Sequence, residues 1–304
     1  MSVASFIPEL WNAAILEPYQ KNLIFGQDGI ASTSYYGDIT DVGDTVTINT
    51  LNDLTIRDYV KGQDIEIENL ETTPTKIKID QGKYFAFGVD DVDKVQAAGE
   101  LQGVATKRAG IQLRDRADQY LSKVLAEGAH QDNKVDKMNI IKADPHRVTE
   151  GLTAYDALVE LSERLDDQSV PTEGRWVVIG GKTRSALLND PRFVNVDKAG
   201  TSEGLRNGVI GRVIGFDVMV SNNIQKKGGT GKTPVTETLV AGVPDAFAFA
   251  SQILETEAMR DQNQFRDIVR GLHVFGASVV RPEGIATVDV TVGAAGAAAG
   301  AAAA

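Results

Sequence analysis

A long alternating segment constrains the fold of this 304-residue chain more than any other feature. On the outgoing side even positions hold Val46, Ile48, Leu54 and Ile56, and on the return side odd positions hold Ile77, Ile79, Phe85, Phe87 and Val89. Alternation with a period of two predicts β-strands. Residues 44–57 as one strand would extend about 45 Å, whereas a compact chain of this length has a radius of gyration of about 19 Å. We therefore predict a β-hairpin arm as long as the body is wide, which needs a surface to lie on because an isolated hairpin is marginally stable.

The charge of this arm differs from that of the segment after it. From Asp38 to Asp80 the sequence has ten acidic and four basic residues. Residues 94–127 have six basic and four acidic residues. Because surfaces of opposite charge attract each other, we expect the arm to contact a basic surface.

Residues 94–127 also change the hydrophobic period, since apolar residues recur there every three or four positions. This spacing predicts a long amphipathic helix. Gly99, Gly103 and Gly110 each cost such a helix about 1 kcal/mol relative to alanine. They indicate a bend, a close backbone approach or a break into two helices.

The rest of the chain mixes helical and strand patterns, so the predicted fold class is α+β. Residues 6–25 read as two short helical pieces divided by Pro18. The last residues, 291–304, are too rich in Ala and Gly to form a core. We predict helices near 153–166 and 183–188, and strands at 175–179, 215–220, 235–242, 254–259, 265–270 and 272–280.

Composition indicates a folded, soluble protein, with 42% hydrophobic and 24% charged residues. Its apolar runs are too short for a membrane span, and the N-terminus lacks a secretory pattern. The absence of cysteine excludes disulfides and thiolate metal sites. A net charge of −11 disfavours nonspecific adhesion to nucleic acid except through local basic patches.

Two short motifs resemble enzyme sites. Residues 226–234, KKGGTGKTP, end like a nucleotide-binding loop, but Lys226 stands where that motif needs its first glycine, and Pro234 follows at once. Residues 200–204, GTSEG, match a hydrolase nucleophile elbow, yet the glycine-rich sequence after them is a poor helix. We interpret both as loops.

No catalytic or metal-binding constellation remains. The three histidines, His130, His146 and His273, show no metal-ligand spacing, and the default interpretation of His273 is a structural residue in a strand. We therefore expect a protein that is not an enzyme and that needs no cofactor.

Five stretches in this order resemble the major capsid protein of tailed bacteriophages, with its Hong-Kong-97-like fold. They are IPELWNAAILEPYQKNLIFG, VPTEGRWVVIGGKTRSALLNDPRF, GVIGRVIGFDVMVSNNI, AFAFASQI and FRDIVRGLHVFGASVVRPEGI. The resemblance covers most of residues 1–290.

The resemblance implies a division of the chain into segments. These are an N-terminal arm (1–37), an extended loop (38–88), a peripheral domain with a spine helix (89–148), an axial domain (149–253), return strands of the peripheral domain (254–290) and the tail (291–304).

The function implied by the resemblance is a shell protein that forms hexamers and pentamers of an icosahedral virion around double-stranded DNA, assembled in the bacterial cytoplasm. Scaffold, portal and cement proteins are the implied partners, with DNA on the inner face bound without sequence specificity and no membrane. An encapsulin-type compartment shares the fold and is the alternative, and a nucleotide-binding enzyme is a remoter one. Lys61 is the one lysine suited to an isopeptide cross-link, for which we identify no asparagine partner. The candidate inter-subunit contacts are Trp11, Tyr19, Phe25, Leu54, Ile56, Arg57, Lys61, Asp64, Glu66, Glu68, Arg108, Arg114 and Arg116.

Overall fold

The computed structural model describes residues 23–32, 45–51, 55–56, 58, 61, 67–69, 72–90, 101–141, 151–190, 211–228, 234–261 and 263–293. Its elements within these ranges, in chain order, are β1 (Thr45–Leu51), β2 (Thr72–Lys78), β3 (Gln81–Asp90), α1 (Leu101–Gly128), β4 (Lys134–Ile141), α2 (Ala154–Asp167), β5 (Trp176–Ile179), α3 (Gly181–Leu188), β6 (Arg212–Val213), β7 (Phe216–Val220), β8 (Lys226–Lys227), β9 (Thr236–Gly242), β10 (Phe247–Arg260), β11 (Arg266–Val279) and β12 (Ile285–Gly293). The predicted α+β fold class is confirmed.

A seven-stranded mixed sheet forms the centre of the body, in the order β4-β12-β9-β5-β7-β6, with β8 also paired to β9. Its β5 strand, WVVI, is buried at every position. Such a continuous apolar run is typical of a strand covered on both faces. Val177 and Ile179 pack in one core cluster with α2 and α3, while Trp176 and Val178 pack in a second cluster with α1.

Helix α2 shows how the sequence specifies one of these layers. Its apolar residues at three- and four-residue spacing, Leu158, Leu161 and Leu165, are buried against the sheet. The helix starts with a capping box, in which the Thr153 N–H donates to the Asp156 carboxylate at 2.8 Å.

A second sheet has three long strands in the order β10-β11-β3. Helix α1 packs on it, with Leu121 and Leu125 in the same core cluster as Phe275 of β11. On α1, Tyr120 contacts the Phe275 ring edge-on, with centroids 5.5 Å apart.

The third sheet is the two-stranded pair β1–β2, whose antiparallel register runs from Thr45 opposite Lys78 to Leu51 opposite Thr72. Two expectations for the hairpin arm are wrong. First, β1 ends at Leu51, so residues 44–57 are not one strand. Second, β3 pairs with β11 and not with β1. The alternation of apolar residues continues from β2 into β3, but a period of two carries no information about which strand is the partner.

Other predicted boundaries also need correction. The strands expected at 265–270 and 272–280 are one strand, β11, which continues through Gly271. The Phe85 side chain covers this glycine so closely that a Cβ there would meet its ring. The segment 254–259 belongs to the longer β10. The sequence patterns did not reveal β4, β6, β8 or β12, and β12 runs three residues into the range 291–304.

Several helical and strand predictions are confirmed. The helices expected near 153–166 and 183–188 and the strands expected at 175–179, 215–220 and 235–242 are present. Helix α1 is continuous through Gly103 and Gly110, so a break at these two residues is wrong. Gly99 and the expected helical pieces up to residue 22 lie outside the described residues.

Candidate assembly surfaces

The arm beyond the β1–β2 pair has exposed apolar side chains. Ile56 is 96% exposed and Ile67 is 92% exposed. Hydrogen bonds connect the two sides of the arm, since the Thr55 N–H and hydroxyl donate to the Glu68 carboxylate at 3.2 and 3.3 Å. Because an exposed isoleucine gains no burial energy in its own chain, this part of the arm offers apolar surface for a second molecule.

Helix α1 presents a basic surface. Its five basic side chains are exposed: Lys107, Arg108, Arg114, Arg116 and Lys123. Of its three acidic residues, Asp115 and Asp118 are buried and only Glu127 is exposed. The exposed face of α1 is therefore more basic than the sequence of the helix indicates.

A groove of about 380 Å³ lies between α1 and β3. Its lining residues are Lys83, Tyr84, Phe85, Ala109, Gln112, Leu113 and Arg116. Tyr84 is 79% exposed, while Phe85 is half-buried. Two cationic side chains around an apolar floor suit a segment that carries both acidic and apolar residues.

The candidate contacts taken from the sequence fall into three groups. Ile56, Lys61 and Glu68 are exposed on the arm, and Arg108, Arg114 and Arg116 are exposed on α1. Phe25 is fully buried in its own chain and has no side-chain surface to offer to a neighbour. Trp11, Tyr19, Leu54, Arg57, Asp64 and Glu66 lie outside the described residues.

Asp118 is a buried residue that sequence reasoning missed. Its carboxylate accepts the backbone N–H groups of Ile24 and Phe25 at 2.9 and 2.8 Å, the amide of Asn223 at 3.0 Å and the hydroxyl of Ser221 at 3.4 Å. Burial raises the pKa of the Asp118 carboxyl above its usual range, and the four hydrogen bonds oppose that shift. The sequence signal is weak, since only the buried helical neighbours Ala117 and Leu121 distinguish it from a surface acid.

The turn of α1 that contains Asp118 also binds the base of the hairpin arm, through Tyr120. The Tyr120 hydroxyl donates to the carboxylate of Asp80, between β2 and β3, at 2.9 Å. Burial and this hydrogen bond raise the Tyr120 pKa, so the phenol stays protonated and remains a donor.

A strand–Gly-Gly-Lys-Thr–helix sequence, as in a phosphate site, occurs at residues 180–183, where β5 ends and α3 begins. The buried Glu237 carboxylate already occupies the helix N-terminus. It accepts the Lys182 and Thr183 N–H groups at 3.3 and 3.1 Å and the Thr183 hydroxyl at 2.8 Å. An anion has no place there, because the chain supplies its own. Of the two enzyme-like motifs, residues 200–204 and the 229–233 part of residues 226–234 lie outside the described residues.

Glu237→Ala is expected to lower the free energy of unfolding by about 3 kcal/mol, because three donors, two of them buried, lose a charged acceptor. For a chain of this size the melting temperature falls by roughly 5–10 °C, measurable by circular dichroism or calorimetry. Glu173→Ala is the matched control, since Glu173 is exposed, and it leaves the melting temperature unchanged. Equal melting temperatures of the two variants would contradict this role of Glu237.

The other functional classes find no support in the described ranges. No helix there is long and apolar enough to cross a membrane. No group of three His, Asp or Glu side chains in those ranges is arranged to hold a metal ion. His273 lies buried in β11 with its ring 5.0 Å from that of Phe275, and burial lowers its pKa.

The family model for phage capsid proteins matches residues 71–288. This range spans the three-stranded sheet, α1 and nearly all of the seven-stranded sheet. The chain belongs to the phage capsid protein family.

Solved structures agree that this chain belongs to the phage capsid protein family. A chain from Mycobacterium phage Che8 is 30% identical, with a TM-score of 0.72, over 94% of this chain and 98% of that one. The capsid of cyanophage P-SCSP1u is 16% identical, with a TM-score of 0.69, over 93% and 92% of the two chains. The SrpI encapsulin of Synechococcus elongatus is 12% identical, with a TM-score of 0.52, over 84% of each chain, which shows a shared fold alone. Among curated proteins none matches the sequence.

The capsid protein is thus a structural component of a phage shell, built from copies of itself. Its fold matches capsid structures of several phages along almost its entire length. The suspected resemblance to tailed-phage major capsid proteins is confirmed.

Proposed function

We propose that this capsid protein forms the hexamers and pentamers of an icosahedral shell around double-stranded DNA, and that its arms clasp neighbouring copies. The observation that carries the proposal is the hairpin arm. Among the described residues, β1 pairs with β2 and with no other strand, and the arm beyond them carries Ile56 and Ile67 in solvent. Such residues become buried only against a second molecule, for which we propose another copy, and extended arms enlarge an interface without enlarging the core.

The proposed counter-surface is the basic face of α1 on a second copy, with the groove beside it. Opposite charge supports this choice, because the arm is acidic and α1 exposes five basic side chains against one acid. Ile56 and Ile67 fit the apolar floor formed by Phe85 and Leu113. On the arm side the proposed contacts include Leu54, Arg57, Lys61, Asp64, Glu66 and Glu68, and on α1 they are Arg108, Arg114 and Arg116. Trp11 and Tyr19 are proposed contacts of the N-terminal arm.

The segment roles remain part of the proposal. We assign residues 1–37 to the N-terminal arm, 38–88 to the extended loop and 149–253 to the axial domain, with the peripheral domain in 89–148 and 254–290. Strands β5–β9 come from the axial range, and β4 and β12 join their sheet from the flanking ranges. The two proposed domains therefore share one sheet.

Partners and location complete the proposal. The protein has no catalytic role, needs no cofactor and acts without a membrane. It assembles in the host bacterial cytoplasm with scaffold, portal or cement proteins, and DNA lies on the inner face without sequence-specific contacts. A net charge of −11 supports a DNA contact limited to local basic patches.

Purified protein is expected to form closed hollow particles or ring-shaped capsomers in negative-stain electron micrographs. A monodisperse monomer at every protein and salt concentration would contradict the proposal. Particles recovered from cells separate the two shell types, since a phage capsid contains nucleic acid, whereas an encapsulin contains protein cargo.

A further inference from the structure

Residues 23–32, which we name the arm base, plug into the body of the subunit. Phe25 and Ile30 are fully buried there, in the core cluster of α1. At its end, the Ser32 N–H donates to the carbonyl of Phe247 in β10 at 2.8 Å. The arm base is therefore attached to the three-stranded sheet at Ser32 by hydrogen bonds between backbone groups, which do not depend on the identity of a side chain.

Its other attachment depends on one side chain. Oδ1 of Asp118 accepts the N–H groups of Ile24 and Phe25, while Oδ2 accepts the Asn223 amide and the Ser221 hydroxyl. An ionised carboxylate has about four acceptor sites, whereas an amide oxygen has two. Only a carboxylate at this position can therefore accept from both segments at once.

The Asp118 charge and the docked arm base depend on each other. All four donors to Asp118 are neutral groups. A buried charge without a cationic partner is tolerated only when it is fully hydrogen-bonded, and half of its hydrogen bonds come from the arm base.

We propose that Asp118 is a positioning residue for shell assembly, whose Oδ1 fixes the arm base at Ile24 and Phe25. The inference rests on the proposed function of the N-terminal arm. Without Oδ1, this end of the arm base keeps only the packing of side chains such as Phe25, and the next backbone hydrogen bond to the body is at Ser32, eight residues after Ile24. Eight residues span up to about 28 Å of extended chain, enough to misplace an inter-subunit contact.

Three variants separate the two sets of hydrogen bonds at Asp118, which we call the two halves of the joint. The arm half is Oδ1 with Ile24 and Phe25, and the loop half is Oδ2 with Ser221 and Asn223. Asp118→Ala removes both halves. Asp118→Asn keeps one oxygen for Ile24 and Phe25 but turns a donor towards the Asn223 amide, so it breaks only the loop half. Asn223→Ala removes the amide donor to Oδ2 and leaves the charge and the Ser221 hydroxyl bond in place; it also removes the bond of the same amide to Asp115 at 2.9 Å.

The measurement is residue-resolved hydrogen exchange of the Ile24 and Phe25 amides, with amides of α1 and β9 as the internal reference. In Asp118→Ala the protection of the two arm amides is expected to fall by about 30-fold, while the reference amides keep theirs. In Asp118→Asn and Asn223→Ala the arm amides keep protection within about threefold, since their acceptor oxygen remains. Asp118→Leu, which keeps the branched shape of the side chain without its acceptor oxygens, repeats the Ala result if the Ala variant does not fold.

Electron micrographs of the same samples test the assembly step. Asp118→Ala is expected to give malformed shells or none, and Asp118→Asn is expected to give normal ones. Unchanged arm protection in the Ala and Leu variants overturns the proposal, as does an equal loss in the Asn variant or a loss spread evenly over the reference amides. Wild-type protein that forms no shells would contradict the proposed function. Hydrogen exchange of the Ile24 and Phe25 amides can still be measured on that unassembled protein, so the role of Asp118 in holding the arm base is tested separately.

Discussion

Deletion of residues 57–71 is expected to abolish closed-shell assembly while the subunit stays folded. Leu51 and Thr72 face each other at the end of the β1–β2 pair, so the deletion leaves residues 52–56 as a five-residue connection. Loops of two to five residues close antiparallel hairpins without strain. The deletion removes the far part of the arm and contains no residue of the three buried core clusters that the described residues form.

Electron microscopy and thermal unfolding together test this result. Shells disappear from the micrographs, and the melting temperature stays within a few degrees of that of the wild-type subunit. The matched control replaces 57–71 by a Gly/Ser stretch of the same length, which keeps the reach of the arm and removes its side chains. Normal shells from the deletion would exclude the arm as a clasp. Normal shells from the replacement alone would show that reach matters and side-chain chemistry does not.

The sequence predicted those elements whose pattern reports a local environment. Helix α2 was readable because Leu158, Leu161 and Leu165 repeat at helical spacing and Thr153 caps the helix. Strand β5 was readable as a short apolar run after a loop. In these cases the period and the end signals lie within a few residues of each other.

Pairing between distant strands was not readable. Strand β3 alternates like β2 but pairs with β11, more than 170 residues away. Strand β4 was missed because KVDKMNII has an irregular burial pattern at the edge of the sheet. Partner choice is set by the folded arrangement of the sheets, which the alternation of a single strand does not encode.

The candidate surfaces were predictable as charge and not as geometry. Counting residues gave the acidic arm and the basic helix, but it treated every charge as exposed. The structure buries Asp115 and Asp118, and it buries Phe25, which the sequence had indicated as a contact. An acid that accepts backbone N–H groups some ninety residues away leaves no mark in its own segment.

Replacing Arg108, Arg114 and Arg116 together by glutamate is expected to raise the critical concentration for assembly by at least about tenfold, because like charges then face each other across each arm contact. The measurement is light scattering against protein concentration. All three side chains are exposed, so the melting temperature of the unassembled subunit changes little. Higher ionic strength narrows the difference from wild type, since exposed charges are screened within about 10 Å at 0.1 M salt.

A compensating variant tests whether the arm is the partner of these arginines. Asp64, Glu66 and Glu68 changed to lysine in the same chain restore opposite charge across the contact, so the combined variant is expected to assemble near the wild-type concentration, whereas the lysine changes alone assemble poorly. Lys123→Glu is the control on the same helix, because Lys123 lies at its C-terminal end within 3.9 Å of Glu127, away from the groove. If the combined variant is as defective as the glutamate variant, the basic face of α1 binds something other than the arm.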